Sequence, residues 1–401
     1  MIDFPYIKDI ARKTPGKIVM LVVDGLGGLP LPETGQSELE TASLPNLDAL
    51  ARRSAVGLTT PVATGITPGS GPGHTALFGY DPVKYLVGRG VLEALGLGVE
   101  LADGDVAIRC NFCTVDDAGT ITDRRAGRIP GEEAESLVDL LRQIEVPGVS
   151  LSLHASKGHR FVLVLSGEGL GTDVAETDPG TIGLPAIPAV ALSDGSQRSA
   201  EAVGAFITAA RDLLSGQPAA NMVLARGYSQ VPDWPLMTDE YRLSPAAIAA
   251  YPMYRGLASV LGMEILSTGE TFDVELDTLE SAFDRHDFFF IHYKPADAAG
   301  EDGDFQAKVL ALEELDAHIP RLLALGADAL VVAGDHSTPA IAAAHTWHPV
   351  PLLVHSALTV GDGVPEFTER ACAMGSIGRI PATGVMMLAL ANAGKLQRFG
   401  P

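Results

Sequence analysis

The stretch Lys17-Ile18-Val19-Met20-Leu21-Val22-Val23-Asp24-Gly25-Leu26-Gly27-Gly28 decides the fold class. Six consecutive apolar, mostly β-branched residues with no polar alternation read as a strand buried on both faces, and the Asp-Gly that ends it reads as a tight turn. Two further runs, Asp287 to Tyr293 and Ala329 to Ala333, also lead directly into polar or Asp-bearing loops, and Val350 to His355 follows closely behind them. Between them lie helical patterns such as Phe305 to Leu325, where Val309, Leu312, Leu315 and Ile319 fall near helical spacing. Strands alternating with helices predict an α/β fold built on a doubly wound, mostly parallel sheet. In such sheets ligands collect beyond the carboxyl ends of the strands, so the Asp-bearing loops should converge on one edge.

The middle of the chain reads differently. From Val106 to Tyr251 it carries alternating segments such as Arg160 to Leu165, long Gly/Pro/Asp loops and a concentration of arginines. This predicts a smaller α+β domain, residues 106–251, inserted into a core made of residues 1–105 and 252–401. The 401 residues suit two domains. A formal charge of -22, from 28 Lys and Arg against 50 Asp and Glu, argues against a surface that neutralises nucleic-acid phosphates or anionic lipid unaided. No apolar run approaches the ~18 residues of a membrane-spanning helix, the N-terminus shows no secretory pattern, and three cysteines make no disulfide framework. A cytoplasmic protein without nucleic-acid or membrane partners is expected; the sequence is silent on oligomeric state.

Two constellations could carry chemistry. The loop Thr64-Gly65-Ile66-Thr67-Pro68-Gly69-Ser70-Gly71-Pro72-Gly73-His74 opens an apolar helix, an arrangement that lets backbone amides approach a phosphate. It matches neither a phosphate-loop motif nor a hydrolase elbow, and two readings stay open: a glycine-rich connection whose serine caps the helix, or a loop presenting Ser70 as nucleophile. The second constellation is Asp24, Asp297, Glu301, Asp335, His336 and His345. A single Asp after a strand is usually a turn residue, but three such loops with imidazoles at hand suggest a metal centre, and Asp297 and Glu301 lie one helical turn apart. Mixed oxygen and nitrogen donors favour Mn²⁺, Zn²⁺ or Co²⁺ over Ca²⁺ or Mg²⁺. Cys110-Asn111-Phe112-Cys113 lacks a second cysteine pair and reads as buried small hydrophobes.

Taken in order, Val23-Asp24-Gly25, Pro68 to His74 with Leu77 to Pro82, Asp297 to Asp304, Gly334-Asp335-His336-Ser337 and His345 to Pro351 resemble the motifs of the archaeal-type cofactor-independent phosphoglycerate mutases, within the alkaline phosphatase superfamily. The resemblance runs from Ile18 nearly to the C-terminus. It implies an alkaline phosphatase-like core and two divalent metal ions, Mn²⁺ first. One ion would be held by Asp24, Ser70, Asp335 and His336, the other by Asp297, Glu301 and His345. Glu301 stands where many relatives carry His. His348 is either a support for these ligands or a packed surface imidazole.

The same resemblance implies interconversion of 3-phosphoglycerate and 2-phosphoglycerate through phosphoserine at Ser70, with Asp123 as acid/base. Arg109, Asn111, Arg124, Arg128, His159, Arg160 and Arg226 are the expected substrate contacts, since guanidinium grips carboxylate and phosphate with paired bonds. Solvated surface pairing is the alternative for these arginines. Two other functions remain: a phosphatase or phosphotransferase for another small metabolite, and a non-catalytic metabolite-binding protein, against which the intact Ser70 and ligand sets argue.

Overall fold

The computed structural model describes residues 1–401. In chain order the strands are β1 (Ile18–Val23) and β2 (Ala55–Thr60), then β3 (Val106–Val115), β4 (Ile121–Asp123), β5 (Ser150–Ala155), β6 (Arg160–Ser166) and β7 (Met222–Ser229). They end with β8 (Pro245–Ile248), β9 (Glu264–Ile265), β10 (Phe288–Tyr293), β11 (Ala329–Ala333), β12 (Val350–Ser356) and β13 (Gly378–Pro381). The chain divides into two compact units, residues 1–86, 234–250 and 261–401, and residues 87–233 with 251–260.

The first unit holds an eight-stranded sheet in the order β13-β2-β12-β11-β1-β10-β8-β9. β1 pairs in parallel with both β10 and β11, and every residue of β1 is buried. The expected mostly parallel α/β sheet is present. One of the four quoted strands departs from it: β12 runs antiparallel to both β11 and β2. This reversal matters for the site. Because β12 starts beside the end of β11, with Leu352 opposite Ala333, the loop 334–349 stays at the edge where β1, β10 and β11 finish. β2, antiparallel to β12, delivers the chain toward Ser70 at that edge too.

The second unit is an antiparallel sheet in which β3 pairs with β4, β6 and β7, and β6 with β5. Val106, Ile108, Cys110 and Phe112 of β3 join Phe161, Leu163 and Leu165 of β6 in one core with the helices Gly131–Leu141 and Gln197–Leu214. Alternation sends Arg109 and Asn111 to the other face.

The unit boundaries depart from residues 106 and 251 in three places, each for a packing reason. Residues 234–250 belong to the first unit because β8 pairs in parallel with β10. Residues 87–105 belong to the second because the helix Arg89–Gly96 packs on β3, with Gly90 so close to the Ala107 carbonyl that a Cβ would sit 2.0 Å from its oxygen. Residues 251–260 follow them, since the helix Pro252–Val260 sets Gly256 against the Leu92 carbonyl, where a Cβ would meet the oxygen at 1.8 Å.

Candidate active site

Ser70 is the first residue of the helix Ser70–Leu77, which therefore begins earlier than the apolar pattern indicates. Gly69 occupies the cap position and no side chain caps the helix. The serine is thus no helix cap: its Oγ lies 3.1 Å from His336 Nε2. Four residues on, His74 is fully buried, with Nδ1 at 2.8 Å from the Ser70 carbonyl and 3.1 Å from Asp335 Oδ2.

Around Ser70 the edge of the large sheet brings together all seven residues expected to bind metal. Asp24, Asp335 and His336 offer ligand atoms within 4.8 Å of one another, and so do Asp297, His336 and His345. His336 appears in both groups, and Thr338 decides between them. Its Oγ1 donates to Asp297 Oδ1 at 2.7 Å, since a carboxylate only accepts, and therefore accepts from His336 Nδ1 at 2.9 Å. Nδ1 so carries a proton, and Nε2 faces Asp335 Oδ2 at 3.1 Å and Asp24 Oδ1 at 3.4 Å. His336 belongs with Asp24 and Asp335. Beside the other group stands Glu301, whose Oε1 is 3.4 Å from His345 Nε2, itself 3.5 Å from Asp297 Oδ1. Glu301 is exposed and the rest are buried or half-buried.

The electrostatics are those of concentrated negative charge. Asp24, Asp297 and Asp335 have no solvent exposure. Burial alone would raise the Asp24 pKa, and Asp335 repels its charge, yet His292 at 3.1 Å and Lys294 at 3.1 Å hold it below the usual carboxylate range. Lys294 also reaches Asp297 Oδ2 at 2.5 Å, bridging the two carboxylates. Burial disfavours the His336 imidazolium, but Asp335, Asp24 and Asp297 outweigh it and push its pKa up to about 9. Three buried carboxylates with two imidazoles and one further acid form a mixed oxygen and nitrogen donor set that suits divalent transition ions.

In the second unit, one sheet face gathers the expected polar residues. Arg109 and Asn111 of β3 stand opposite Arg226 of β7 and Arg160 of β6 respectively. Nε of Arg109, Arg160 and Arg226 and Oδ1 of Asn111 are buried without a hydrogen-bond partner in the protein. Burial, then Arg160, lowers the Arg109 pKa to about 10, and burial with Arg160 and Arg125 lowers His159 to about 4. Asp123 accepts from the amides of Arg125 and Gly127, both at 2.7 Å, which holds it ionised. Arg124 is bound elsewhere: its Nε and Nη2 form a paired bridge to Asp178 at 2.8 and 2.7 Å, and its Nη1 donates to the Gly180 carbonyl at 2.6 Å. Arg128 is exposed, with φ of +55°. His348 is bonded to Thr346 and stacked on Trp347, and Cys110 and Cys113 are buried, the Cys113 thiol pushed up to about 12.

A family description of 2,3-bisphosphoglycerate-independent phosphoglycerate mutase matches residues 51–220. A Thermus thermophilus protein named as a probable 2,3-bisphosphoglycerate-independent phosphoglycerate mutase is 49% identical, over 99% of both chains. This chain belongs to that family. A Thermotoga maritima mutase named in the same way is 47% identical over 98% of both chains. Among solved structures, the cofactor-independent phosphoglycerate mutase of Thermoplasma acidophilum is 30% identical, with a TM-score of 0.69 over 94% of this chain and all of that one. A Pyrococcus horikoshii protein superposes with a TM-score of 0.84 at 27% identity, over 97% of this chain and all of that one. No helix of this mutase-family chain is long and apolar enough to cross a membrane.

Sequence reading missed Thr338, Lys294, His74 and His292, which bond to the candidate ligands Asp24, Asp297, Asp335 and His336. His74 and Thr338 stand inside or beside quoted motifs, and His292 interrupts an apolar strand. Those were the available signals.

Proposed function

We propose that this chain is a metal-dependent, cytoplasmic isomerase that interconverts 3-phosphoglycerate and 2-phosphoglycerate through a phosphoserine at Ser70. The observation that carries the reading is the position of Ser70: it opens a helix, does not cap it, and sets Oγ 3.1 Å from His336 Nε2 among the buried carboxylates. In this reading Asp24, Ser70, Asp335 and His336 would hold one divalent ion, and Asp297, Glu301 and His345 a second, with Mn²⁺ the first choice and Zn²⁺ or Co²⁺ the others. Such ions, when bound, supply Lewis acidity and offset phosphoryl charge.

The chain's own groups do the rest. The helix start at Ser70 presents its positive end to an anion. Thr338 fixes the His336 ring, and His292 and His74 orient Asp24 and Asp335. Arg109, Arg160, Arg226 and Asn111 would grip the phosphoglycerate through donors and acceptors that the protein leaves unpaired, with His159 beside them. Asp123, held ionised by two amides, would accept a hydroxyl proton before returning it. The Ser70 oxygen would attack phosphorus as its proton passes to the departing glycerate oxygen; Asp123 would then take the proton of the other hydroxyl as that oxygen attacks the phosphoserine, and the proton would finally restore the Ser70 hydroxyl.

The test is a reaction mixture of metal-replete protein with 3-phosphoglycerate, in which 2-phosphoglycerate and inorganic phosphate are both measured. The first product should dominate and both should vanish in a folded Ser70→Ala variant. Phosphate without 2-phosphoglycerate would instead mark a phosphatase. Neither product would leave a metabolite-binding protein.

A further inference from the structure

The helix Phe305–Ala324 buries a lysine that the chemistry above does not use. Lys308 has no solvent exposure, and its Nζ donates to three carbonyls: Gly25 at 2.8 Å, Gly27 at 2.9 Å and Thr338 at 2.8 Å. A neutral amine has two N–H donors, so three carbonyl acceptors call for the ammonium form. Burial lowers the Lys308 pKa from its ordinary value, and the nearby carboxylates of Glu38 and Glu369 oppose that.

Those two carboxylates hold the same loops by their amides. Glu38 accepts from Leu29 N at 3.2 Å and Ala340 N at 2.7 Å, and Glu369 accepts from Gly28 N at 2.7 Å and the Ser37 hydroxyl at 2.7 Å. Carbonyls are gripped by the cation and amides by the anions. The gripped segments are the two that carry Asp24, and Asp335 with His336. They also touch each other, since Gly25 N donates to Asp335 Oδ1 at 3.1 Å.

We propose that Lys308 is a positioning residue: a built-in monovalent cation, ringed by carbonyls, that sets the spacing of the loops holding Asp24, Asp335 and His336 and thereby the affinity of that ligand group for a divalent ion. The proposal rests on the reading of those residues as ligands. It gives the site a fixed, non-exchangeable cation behind the exchangeable ones.

Mn²⁺ titration calorimetry on metal-stripped protein tests it, alongside thermal melting and steady-state kinetics. Lys308→Met should remain folded and lose about tenfold or more in Mn²⁺ affinity, as loss of a group orienting a ligand does. Its kcat should fall while KM for 3-phosphoglycerate stays near wild type; a purely structural lysine would lower melting temperature and leave Mn²⁺ affinity alone. In Lys308→Ala, methylammonium chloride should recover part of that affinity and tetramethylammonium chloride should not. Wild-type Mn²⁺ affinity in folded Lys308→Met overturns the proposal. Should that variant not fold, Glu369→Gln decides: a severalfold loss of affinity supports the clamp, and an unchanged value overturns it. Wild-type protein that binds no Mn²⁺ would overturn the ligand reading itself, a result distinct from loss of the clamp alone.

Discussion

Replacing Thr338 by valine removes one hydroxyl from the centre of the site and keeps the shape, so it isolates the hydrogen bonds from the packing. The hydroxyl is fully buried and makes two of them, to Asp297 Oδ1 at 2.7 Å and from His336 Nδ1 at 2.9 Å. Each buried polar group left unpaired costs about 1–3 kcal/mol. Asp297 keeps Lys294 at 2.5 Å, so the larger share falls on the orphaned imidazole N–H. A total of about 2–4 kcal/mol follows from these contributions. Part of it should appear in the ligands rather than in global stability, because the His336 ring is then free to turn. Second-layer changes of this kind lower metal affinity by about 10–100-fold. Calorimetric Mn²⁺ titration of Thr338→Val against wild type measures that directly, and Thr338→Ser, which keeps the hydroxyl, should stay within a few fold of wild type. Wild-type Mn²⁺ affinity and turnover in Thr338→Val would refute the argument, as would equal damage from serine and valine.

Glu301→Gln should weaken one of the two ion-binding events and Glu301→His should restore much of it with a changed metal preference; identical calorimetric stoichiometry and affinity in both variants would take Glu301 off the ligand set. Arg124→Ala should lower the melting temperature, because it leaves the buried Asp178 without its paired bridge, whereas Arg109→Gln should leave melting nearly unchanged and raise KM; the reverse pattern would exchange the roles assigned to them. Glu275 supplies a pH test. Burial, opposed by the Ala250 amide, raises its pKa from 4.5 to about 8, so the folded protein binds this proton more tightly than the unfolded chain does. Its contribution is complete below about pH 4.5 and is lost as pH rises through about 8, so the melting temperature of Glu275→Gln relative to wild type should climb between pH 5 and 9, and a flat difference would contradict the shift.

The parts of the fold that could be read from sequence are those written in local pattern. β1 is an unbroken apolar run with an Asp-Gly at its end, and its two parallel neighbours β10 and β11 carry the same signal. The direction of β12 was not legible because an apolar run reads alike in either direction; only its pairing with β11 and β2 reveals it. β8 is four residues, Pro245-Ala246-Ala247-Ile248, too short and alanine-rich to announce a strand of the main sheet. Within the site, the candidate ligands could be picked out in sequence because metal chemistry restricts residue types, and the fold gathers them at one sheet edge. Their supports could not be, since the partners of Lys294, Thr338 and Lys308 include loops up to 283 residues away.

The segment Asp123 to Arg128 shows how neighbours in one motif come to do different work. Asp123 takes the amides of Arg125 and Gly127, and this turn places Ala126, Gly127 and Arg128 at φ of +48°, +64° and +55°. For Ala126 and Arg128 the left-handed conformation costs about 1–2 kcal/mol each, which the carboxylate's two bonds help to offset. Protonating Asp123 would weaken both bonds, so the turn itself favours its carboxylate form. Arg124, one residue on, has all three guanidinium nitrogens bonded to Asp178 and Gly180, so gripping a substrate would require breaking a bridge that braces the loop. On the sheet face, Arg226 meets Asp178 only at 3.8 Å, a far looser hold than the paired bridge of Arg124. Buried Nε groups on Arg109, Arg160 and Arg226, with the Asn111 carbonyl oxygen, lack partners that a native interior normally provides. In the proposed function these residues, rather than the fully bonded Arg124, are therefore the ones left to meet an anion with several oxygens.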